Sequence, residues 1–350
     1  MLRLLHLRTP WAAVAIAQLF ASLPIAAQEP AGVDSVVVDG PTEQTIHGAL
    51  RFLAGQQQAS GAWTGGDVRR GEHPVAITGY VLLAFMACGH LPEEGDYARQ
   101  VAAGMDFLLD SLLPDGTYRG VDGGKYMYNH GIATIALSEI YGQTRSPAMR
   151  TKLDRAIQLI VRTQSDHGEH RGGWRYRPQP GDADISVTVL QVVALRSAKN
   201  GGIAVPQATI DDAIDYVKRC HAGAGGGFSY QAGHGPPGFA RTAAAIYSLQ
   251  VCGLYDDPLV KAGSDYLFEN GAPGQNHWTY GCNYAGPAQY MIGGETWRRW
   301  YGLQKEQLLG TAQRDGEKVF WRGEVGPVYC TAAYTTILAM PWHYLPLYQR

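Results

Sequence analysis

The 350-residue sequence lacks the features that mark several large functional classes. Its formal net charge is only −2 and no run of Lys and Arg exceeds a pair, so it has no basic patch of the kind that binds nucleic acid. It has no Gly-Lys-Ser/Thr phosphate loop, no Gly-x-Ser-x-Gly turn and no His-Glu-x-x-His metal motif. Its 5 cysteines are an odd number, which excludes complete disulfide pairing within one chain.

The N-terminus has the pattern of a targeting segment. Arg3 and Arg8 flank the start of an apolar stretch, and small residues end that stretch at Ala27. This pattern predicts a cleaved signal peptide over residues 1–27 and a flexible lead-in over residues 28–44; a retained membrane anchor is the alternative. The sequence therefore predicts an exported protein of the periplasm or cell envelope, with peripheral membrane contact as a further possibility.

A repeated unit of helix, glycine–aromatic loop and helix runs through the rest of the chain. The aromatic residues of the loops recur at Trp63, Tyr118, Trp174, Phe228, Trp278 and Trp321. The period is about 55 residues over the first four and shorter toward the C-terminus. Such a period predicts stacked units that share one core, and hence a single all-α domain of about six helical hairpins over residues 45–345.

The best-preserved units carry the resemblance to a known family. Gln57 followed by Gly61-x-Trp63, and Gln164 followed by Gly172-x-Trp174, resemble the QW-type repeats of the prenyltransferase/squalene-cyclase superfamily. The sequence is more closely similar to secreted planctomycete-type members of that group. The resemblance implies an (α/α)6 toroid, in which an inner and an outer ring of helices surround a central cavity. It also implies a hydrophobic small molecule or lipid as the ligand.

The stretch from Asp182 to Ser186 is the sharpest candidate for chemistry. It resembles the Asp-x-Asp-Asp-Thr motif with which class II terpene cyclases protonate their substrates, although Ile185 replaces the third Asp. The resemblance makes Asp184 the catalytic acid and Asp182 its partner. The alternative is that Asp184 caps the next helix, where the helix dipole would stabilise it as an anion and oppose acid catalysis.

Further residues are predicted to bind substrate at one mouth of the toroid. His130 and Arg241 occupy corresponding places near the starts of two inner helices, where they either meet a polar head group or serve helix capping. Arg175 belongs to an arginine-rich loop suited to an anion, unless neighbouring carboxylates pair with it. Tyr128 is predicted to line the cavity and Trp174 to contact substrate, although periodic loop aromatics also serve as packing staples.

Zinc is a further alternative that the resemblance implies, because protein prenyltransferases bind this metal beside the cavity. The candidate ligands here are His277, Cys282, Cys330 and Asp265, and they lack a tight ligand spacing. No cofactor is otherwise expected.

The sequence thus predicts an exported terpenoid cyclase- or prenyltransferase-like toroid that binds an isoprenoid and transforms it by acid-initiated chemistry. A non-catalytic lipid- or protein-binding scaffold is the first alternative. A glycan-processing toroid is the second, because α/α toroids also carry carbohydrate enzymes.

Overall fold

The computed structural model of the chain describes residues 36–65, 72–120, 125–179, 181–223 and 225–349. The predicted signal peptide and most of the predicted lead-in lie outside these residues. Within them, no helix combines the length and the apolar character needed to cross a membrane.

The described residues form twelve α-helices that alternate between an outer and an inner position. The outer helices are α1 (Gly40–Gly55), α3 (Ala98–Ser111), α5 (Pro147–Arg162), α7 (Gln207–Arg219), α9 (Pro258–Asn270) and α11 (Gly294–Thr311). The inner helices are α2 (Pro74–Ala87), α4 (Tyr126–Thr144), α6 (Ile185–Asn200), α8 (Phe239–Val251), α10 (Trp278–Ile292) and α12 (Pro327–Ala339). A hairpin of β1 (Gln313–Asp315) and β2 (Lys318–Phe320) precedes α12, and short 3₁₀ helices cover Gly168–His170, Met340–Trp342 and Pro346–Tyr348.

The inner helices close into a ring. Each contacts the next in chain order, and α12 contacts α2. The sequence explains the division into two rings: α2 buries every residue from Ile77 to Ala87, whereas α5 buries only one stripe that includes Leu153, Ala156 and Ile160. A helix that is apolar on all sides is buried, and one with a single apolar stripe lies at a surface. The predicted all-α toroid of about six hairpins is confirmed.

A threonine in each of four inner helices fixes the preceding loop. Its hydroxyl accepts a hydrogen bond from the backbone N–H of the loop aromatic residue. The pairs are Trp63 with Thr78 at 2.9 Å, Trp174 with Thr188 at 3.0 Å, Phe228 with Thr242 at 2.9 Å and Trp321 with Thr331 at 3.2 Å. The repeated aromatic therefore anchors its loop to the start of the inner helix.

The Gln, Gly and Trp residues of the repeat hold neighbouring elements together. The side-chain amide of Gln164 donates to the carbonyl of Gly172 at 2.9 Å and to that of Thr209 at 2.8 Å, at the start of α7. Gly172 has φ +89°, and a Cβ there would lie 1.8 Å from the Asp212 carbonyl oxygen. Only glycine allows this approach. The indole N–H of Trp174 donates to the Ile160 carbonyl at 2.8 Å, which ties the loop to its own outer helix.

The first and last units meet where the ring closes. β2 packs on α1, and the rings of Phe52 and Phe320 stack with centroids 5.1 Å apart. Helix α1 begins at Gly40, before the predicted domain start at residue 45. The reason is local: the Asp39 carboxylate accepts from Thr42 N at 3.0 Å and caps the helix, and Pro41 suits its first turn.

Candidate functional site at the N-terminal mouth

The inner helices begin at one end of the ring, which we call the N-terminal mouth, defined by Tyr128, Asp184, Ser186 and Tyr280. They end at the opposite end, called the second mouth, where Ala87, Tyr290 and Ala339 line one small cavity.

Asp184 caps helix α6 at the N-terminal mouth. One carboxylate oxygen accepts from the backbone N–H groups of Ser186 and Val187, both at 2.9 Å, and from the Ser186 hydroxyl at 2.6 Å. Asp184 itself is 0 % exposed. Its other carboxylate oxygen lies 3.3 Å from Arg175 Nε. The contacts are those of the capping alternative.

Arg175 joins the two aspartates of the motif. Its Nη1 lies 3.4 Å from Asp182 Oδ2, and the Asp182 side chain is 57 % exposed, whereas that of Arg175 is 22 % exposed. One guanidinium therefore balances a buried carboxylate and reaches a solvent-facing one.

Opposing effects act on the Asp184 carboxyl. The pKa of Asp184 is raised on balance, because the effect of burial exceeds that of the hydrogen bonds from Ser186 and Val187 and the charge of Arg175, which lower it. Three donors on one oxygen and a cation beside the other suit the carboxylate anion. A proton on this group would have to displace one of these contacts.

Tyrosine rings surround the guanidinium. The Arg175 guanidinium carbon lies 4.6 Å from the ring centre of Tyr176 and 5.4 Å from that of Tyr230. The hydroxyls of these two tyrosines share a hydrogen bond. Tyr128 stacks on Tyr176 with centroids 5.9 Å apart. The aromatic faces hold the cation by cation–π attraction and leave its position well defined.

Ser186 connects this cluster to the hydroxyl groups of two tyrosines, one on α4 and one on α10. Because Ser186 donates its proton to Asp184, Tyr128 is the donor in the 2.7 Å hydrogen bond between Tyr128 and Ser186. Tyr280 of α10 donates to the Ser186 carbonyl at 2.7 Å. Burial raises the pKa of both tyrosines well above 10, so they remain hydrogen-bond donors.

Aromatic side chains from several inner helices meet just below the mouth. Tyr280 contacts Tyr284 edge-on at 4.8 Å, and Tyr284 lies 6.1 Å from Tyr247 of α8. Tyr80 of α2 and Tyr329 of α12 are 4.8 Å apart. These rings pack in the axis of the toroid, where the resemblance implies a cavity.

The structure brings four of the predicted site residues together and assigns a fifth to packing. Asp182, Asp184, Arg175 and Tyr128 form one cluster. Trp174 is 1 % exposed, and its carbonyl accepts from Asp184 N at 3.0 Å. Its indole and backbone N–H groups are also engaged, so Trp174 packs beneath the site, and its contact with substrate stays a prediction.

His130 lies away from the mouth, contrary to the prediction. Its imidazole is 0 % exposed and packs against Tyr118 and Tyr126, and Nε2 donates to the Ala156 carbonyl of outer helix α5 at 3.1 Å. Burial lowers the pKa of His130 to about 4, so it is neutral. The physical reason is helical register. His130 stands where Thr78 stands in α2, on the face that holds the loop and the outer helix.

Arg241 also points away from the cluster. Its Nη1 donates to the Pro236 carbonyl in the preceding loop at 2.7 Å, and it lies within electrostatic reach of Tyr266 on outer helix α9. It adjoins Thr242, which anchors the loop of its unit. The structure therefore places His130 and Arg241 on separate partners, and their binding of a head group stays a prediction.

The zinc candidates are scattered. His277 is exposed and its Nδ1 lies 3.5 Å from a Glu324 carboxyl oxygen, whereas Cys282 and Cys330 are buried and Asp265 lies exposed on α9. In the part of the chain that the structure describes, no three His, Cys, Asp or Glu side chains are grouped so that they could hold a metal ion.

Three tyrosines and a serine complete the site beyond the predicted residues: Tyr176, Tyr230, Tyr280 and Ser186. A signal for the tyrosines is present in the repeat. Tyr176 and Tyr230 each stand two residues after the loop aromatic of their unit, whereas Tyr280 has the same spacing from Trp278 but lies within helix α10. In an extended loop, residues two apart point to the same side. A comparison of units in this register identifies Tyr230 after Phe228.

Comparisons with solved structures match most of the chain. A Candida albicans protein geranylgeranyltransferase-I with bound GGPP is 13 % identical over 86 % of this chain and 91 % of that one, with a TM-score of 0.57. A type II terpene cyclase from Scytonema is 14 % identical over 87 % of this chain and 99 % of that one, with a TM-score of 0.56. A cellobiose 2-epimerase from Bacillus thermoamylovorans is 12 % identical over 87 % and 98 %, with a TM-score of 0.62.

The chain has the α/α toroid fold. At these identities the likeness establishes the fold alone, and it confirms the predicted resemblance at that level. The sequence matches no family model and no curated protein. The matched toroids act on prenyl groups, terpenoids and sugars, so the fold does not decide the chemistry of this chain, which depends on the residues at its N-terminal mouth.

Proposed function

We propose that the protein binds a hydrophobic small molecule of the isoprenoid class at the N-terminal mouth. The observation that supports this is the cluster of partly exposed tyrosine rings around Arg175, at the start of inner helix α6. Binding sites for small molecules combine aromatic lining with a few fixed polar groups, and this cluster has both.

The chemistry of the cluster fits a ligand with an apolar body and a polar end. The partly exposed rings of Tyr128, Tyr176 and Tyr230, which pack around Arg175 and against each other, offer aromatic surface to an unsaturated chain. The guanidinium of Arg175 is the cation for a polar or anionic head group. The protein prenyltransferase that shares this fold binds GGPP, which has both parts.

We assign Asp184 to holding Arg175 in place. Burial supports the protonated form that acid-initiated chemistry requires, but the cap and the cation favour the anion. In this proposal Asp184 positions the recognition residue. Acid-initiated turnover that is lost in Asp184→Asn, without loss of ligand affinity, would replace this role by the catalytic one.

We also propose that the protein is exported. The apolar segment over residues 1–27 supports delivery to the periplasm or cell envelope, where isoprenoid lipids are available at a membrane surface.

A binding titration tests the proposed site. Full-length protein is titrated with geranylgeraniol and with its diphosphate, and quenching of intrinsic fluorescence is followed. We expect Tyr176→Ala to weaken binding about tenfold, because it removes a stacking face, while Tyr344→Ala at the second mouth is the matched control. Equal affinities of the wild type and Tyr176→Ala would refute the site.

A glycan ligand is the second candidate, favoured by the exposed carboxylate of Asp182 beside the tyrosine rings. Sugars combine apolar faces that stack on aromatic rings with hydroxyls that bind carboxylates. A neutral oligosaccharide that binds in the same titration, in place of the prenyl compounds, would select this candidate.

A further inference from the structure

A short segment that follows α12 closes the second mouth. In the C-terminal tail, residues 343–349, the side chains of Leu345, Leu347 and Tyr348 are buried, whereas Tyr344 is 53 % exposed. The tail and the ends of α2, α10 and α12 leave a cavity of about 10 Å³ between them, no larger than one water molecule. The tail therefore fills the space between the ends of the inner helices.

A buried acid holds the tail. Glu139 of α4 is 3 % exposed. Its Oε2 accepts a hydrogen bond from the backbone N–H of Leu347 at 3.2 Å, and its Oε1 accepts from the Ser197 hydroxyl of α6. Leu347 N–H is the direct polar link between the tail and the inner ring at this carboxyl group.

The surroundings of Glu139 offer no compensating charge. Tyr247 of α8 and Tyr348 of the tail lie within electrostatic reach of Glu139, and Tyr80 of α2 lies within reach of Tyr348. Arg196 on α6 acts on Tyr247, and the described residues include no ion-pair partner of Glu139 within 4.0 Å. A carboxylate formed here has only a hydroxyl and one amide to stabilise it.

Burial raises the pKa of Glu139 from 4.5 to about 7. The neutral acid is thus the form that fits the closed tail, and the carboxylate is the form that water stabilises once the tail has left. Closure is fully favoured below about pH 4.5 and is weakened as the pH rises through about 7.

We propose that the C-terminal tail is a pH-sensitive plug of the second mouth, latched by Glu139 through the Leu347 N–H. Departure of the tail exposes Glu139 and the neighbouring Tyr247 at the lower end of the tyrosine-lined axis. Because the ring is closed by contacts among the inner helices themselves, from α2 to α12, the tail can leave without breaking them. The plug does not depend on the ligand proposed for the N-terminal mouth.

Hydrogen exchange of the full-length protein, followed by mass spectrometry between pH 5.5 and 8.5, tests the plug. After correction for the intrinsic pH dependence of exchange, the tail amides should lose protection by on the order of thirtyfold across this range. Helix α6 should keep its protection, which separates departure of the tail from global unfolding.

Glu139→Gln is the matched variant. Its amide oxygen still accepts from Leu347 and its amide nitrogen donates to Ser197, but it does not ionise. We expect its tail protection to change less than threefold over the same range. His343 of the tail, whose ring hydrogen-bonds to the Tyr290 hydroxyl, is retained in Glu139→Gln, so the difference between the two proteins isolates Glu139.

Ser197→Ala keeps the test decisive if Glu139→Gln does not fold. Loss of the hydroxyl removes a donor to the carboxylate, which raises the pKa of Glu139 in the closed state further, so the loss of protection should become larger and continue to higher pH. A flat profile in the wild type, or an equal decline in Glu139→Gln, would overturn the proposal.

Discussion

The two mouths of the toroid each bury one carboxyl group of the described residues and give it different hydrogen-bonding and charged partners, although burial raises the pKa of both groups. Asp184 at the N-terminal mouth has an N-cap, a serine hydroxyl and Arg175. Glu139 at the second mouth has a serine hydroxyl and one tail amide, and its pKa is raised to about 7. The comparison teaches that the same fold can bury a carboxyl group with partners that suit the anion at one end and with few such partners at the other.

The largest effect is expected from removing the cation at the N-terminal mouth. Arg175→Gln leaves Asp184 buried without its counter-charge and should lower the free energy of unfolding by about 3 to 4 kcal/mol in urea titrations. The double variant Arg175→Gln/Asp184→Asn should recover most of this loss, because asparagine still caps the helix and no buried charge remains.

Arg177→Gln is the control, since Arg177 is an exposed residue of the same loop. A double variant as unstable as the single one would show that Arg175 acts by packing and that the charge contrast between the two mouths is incorrect.

The second mouth should give a pH-dependent effect. Because the pKa of Glu139 is raised when the protein folds, its contribution to stability is present at low pH and is lost as the pH rises through about 7. Between pH 5 and 8 the wild type should lose about 2 kcal/mol of unfolding free energy relative to Glu139→Gln, measured by urea titration at each pH. If the unfolding free energies of the wild type and Glu139→Gln changed in parallel with pH, the proposed difference between the two mouths would be contradicted.

A smaller effect is expected in the scaffold below the N-terminal mouth. Thr188→Val removes the acceptor of the Trp174 N–H and leaves a buried donor unpaired, which should cost about 1 to 2 kcal/mol in thermal or urea unfolding. Thr336→Val is a suitable comparison, because Thr336 donates only to a carbonyl within its own helix. Equal costs would mean that the repeated threonine does not anchor the loop.

The smallest effect is expected for Tyr128→Phe. Loss of the hydrogen bond to Ser186 should lower the unfolding free energy by about 0.5 to 1 kcal/mol, and the stack on Tyr176 should persist. Tyr344→Phe, at the exposed tail residue, should have no effect. A loss above 2 kcal/mol in Tyr128→Phe would indicate that the hydrogen bond to Ser186, rather than the packing of the rings, organises the mouth.

The repeat could be predicted from the sequence because its determinants are local. Gln164, Gly172 and Trp174 act within one loop and its neighbouring helix, and their spacing recurs. The clustering of Asp182, Asp184 and Arg175 was likewise accessible, because all three lie on one loop that leads into α6.

The parts that could not be predicted depend on helical register and on distant partners. His130 is polar and near a helix start, yet its position on the helix turns it toward α5, where the Ala156 carbonyl accepts a hydrogen bond from it. Glu139 gives no sign of burial in the sequence, since the group that covers it is Leu347, 208 residues away. Tyr280 reaches the site from α10 only because the ring closes.

Photo-crosslinking tests the central claim, that ligand binds at the N-terminal mouth, most directly. A diazirine-bearing prenyl alcohol is crosslinked to full-length protein, and the modified peptides are mapped by mass spectrometry, with unlabelled geranylgeraniol as competitor. The account predicts competed labelling in the segments that contain Tyr128, Tyr176, Tyr230 and Tyr280. Competed labelling confined to the tail and the ends of α2 and α10 would contradict it and would move the binding site to the second mouth.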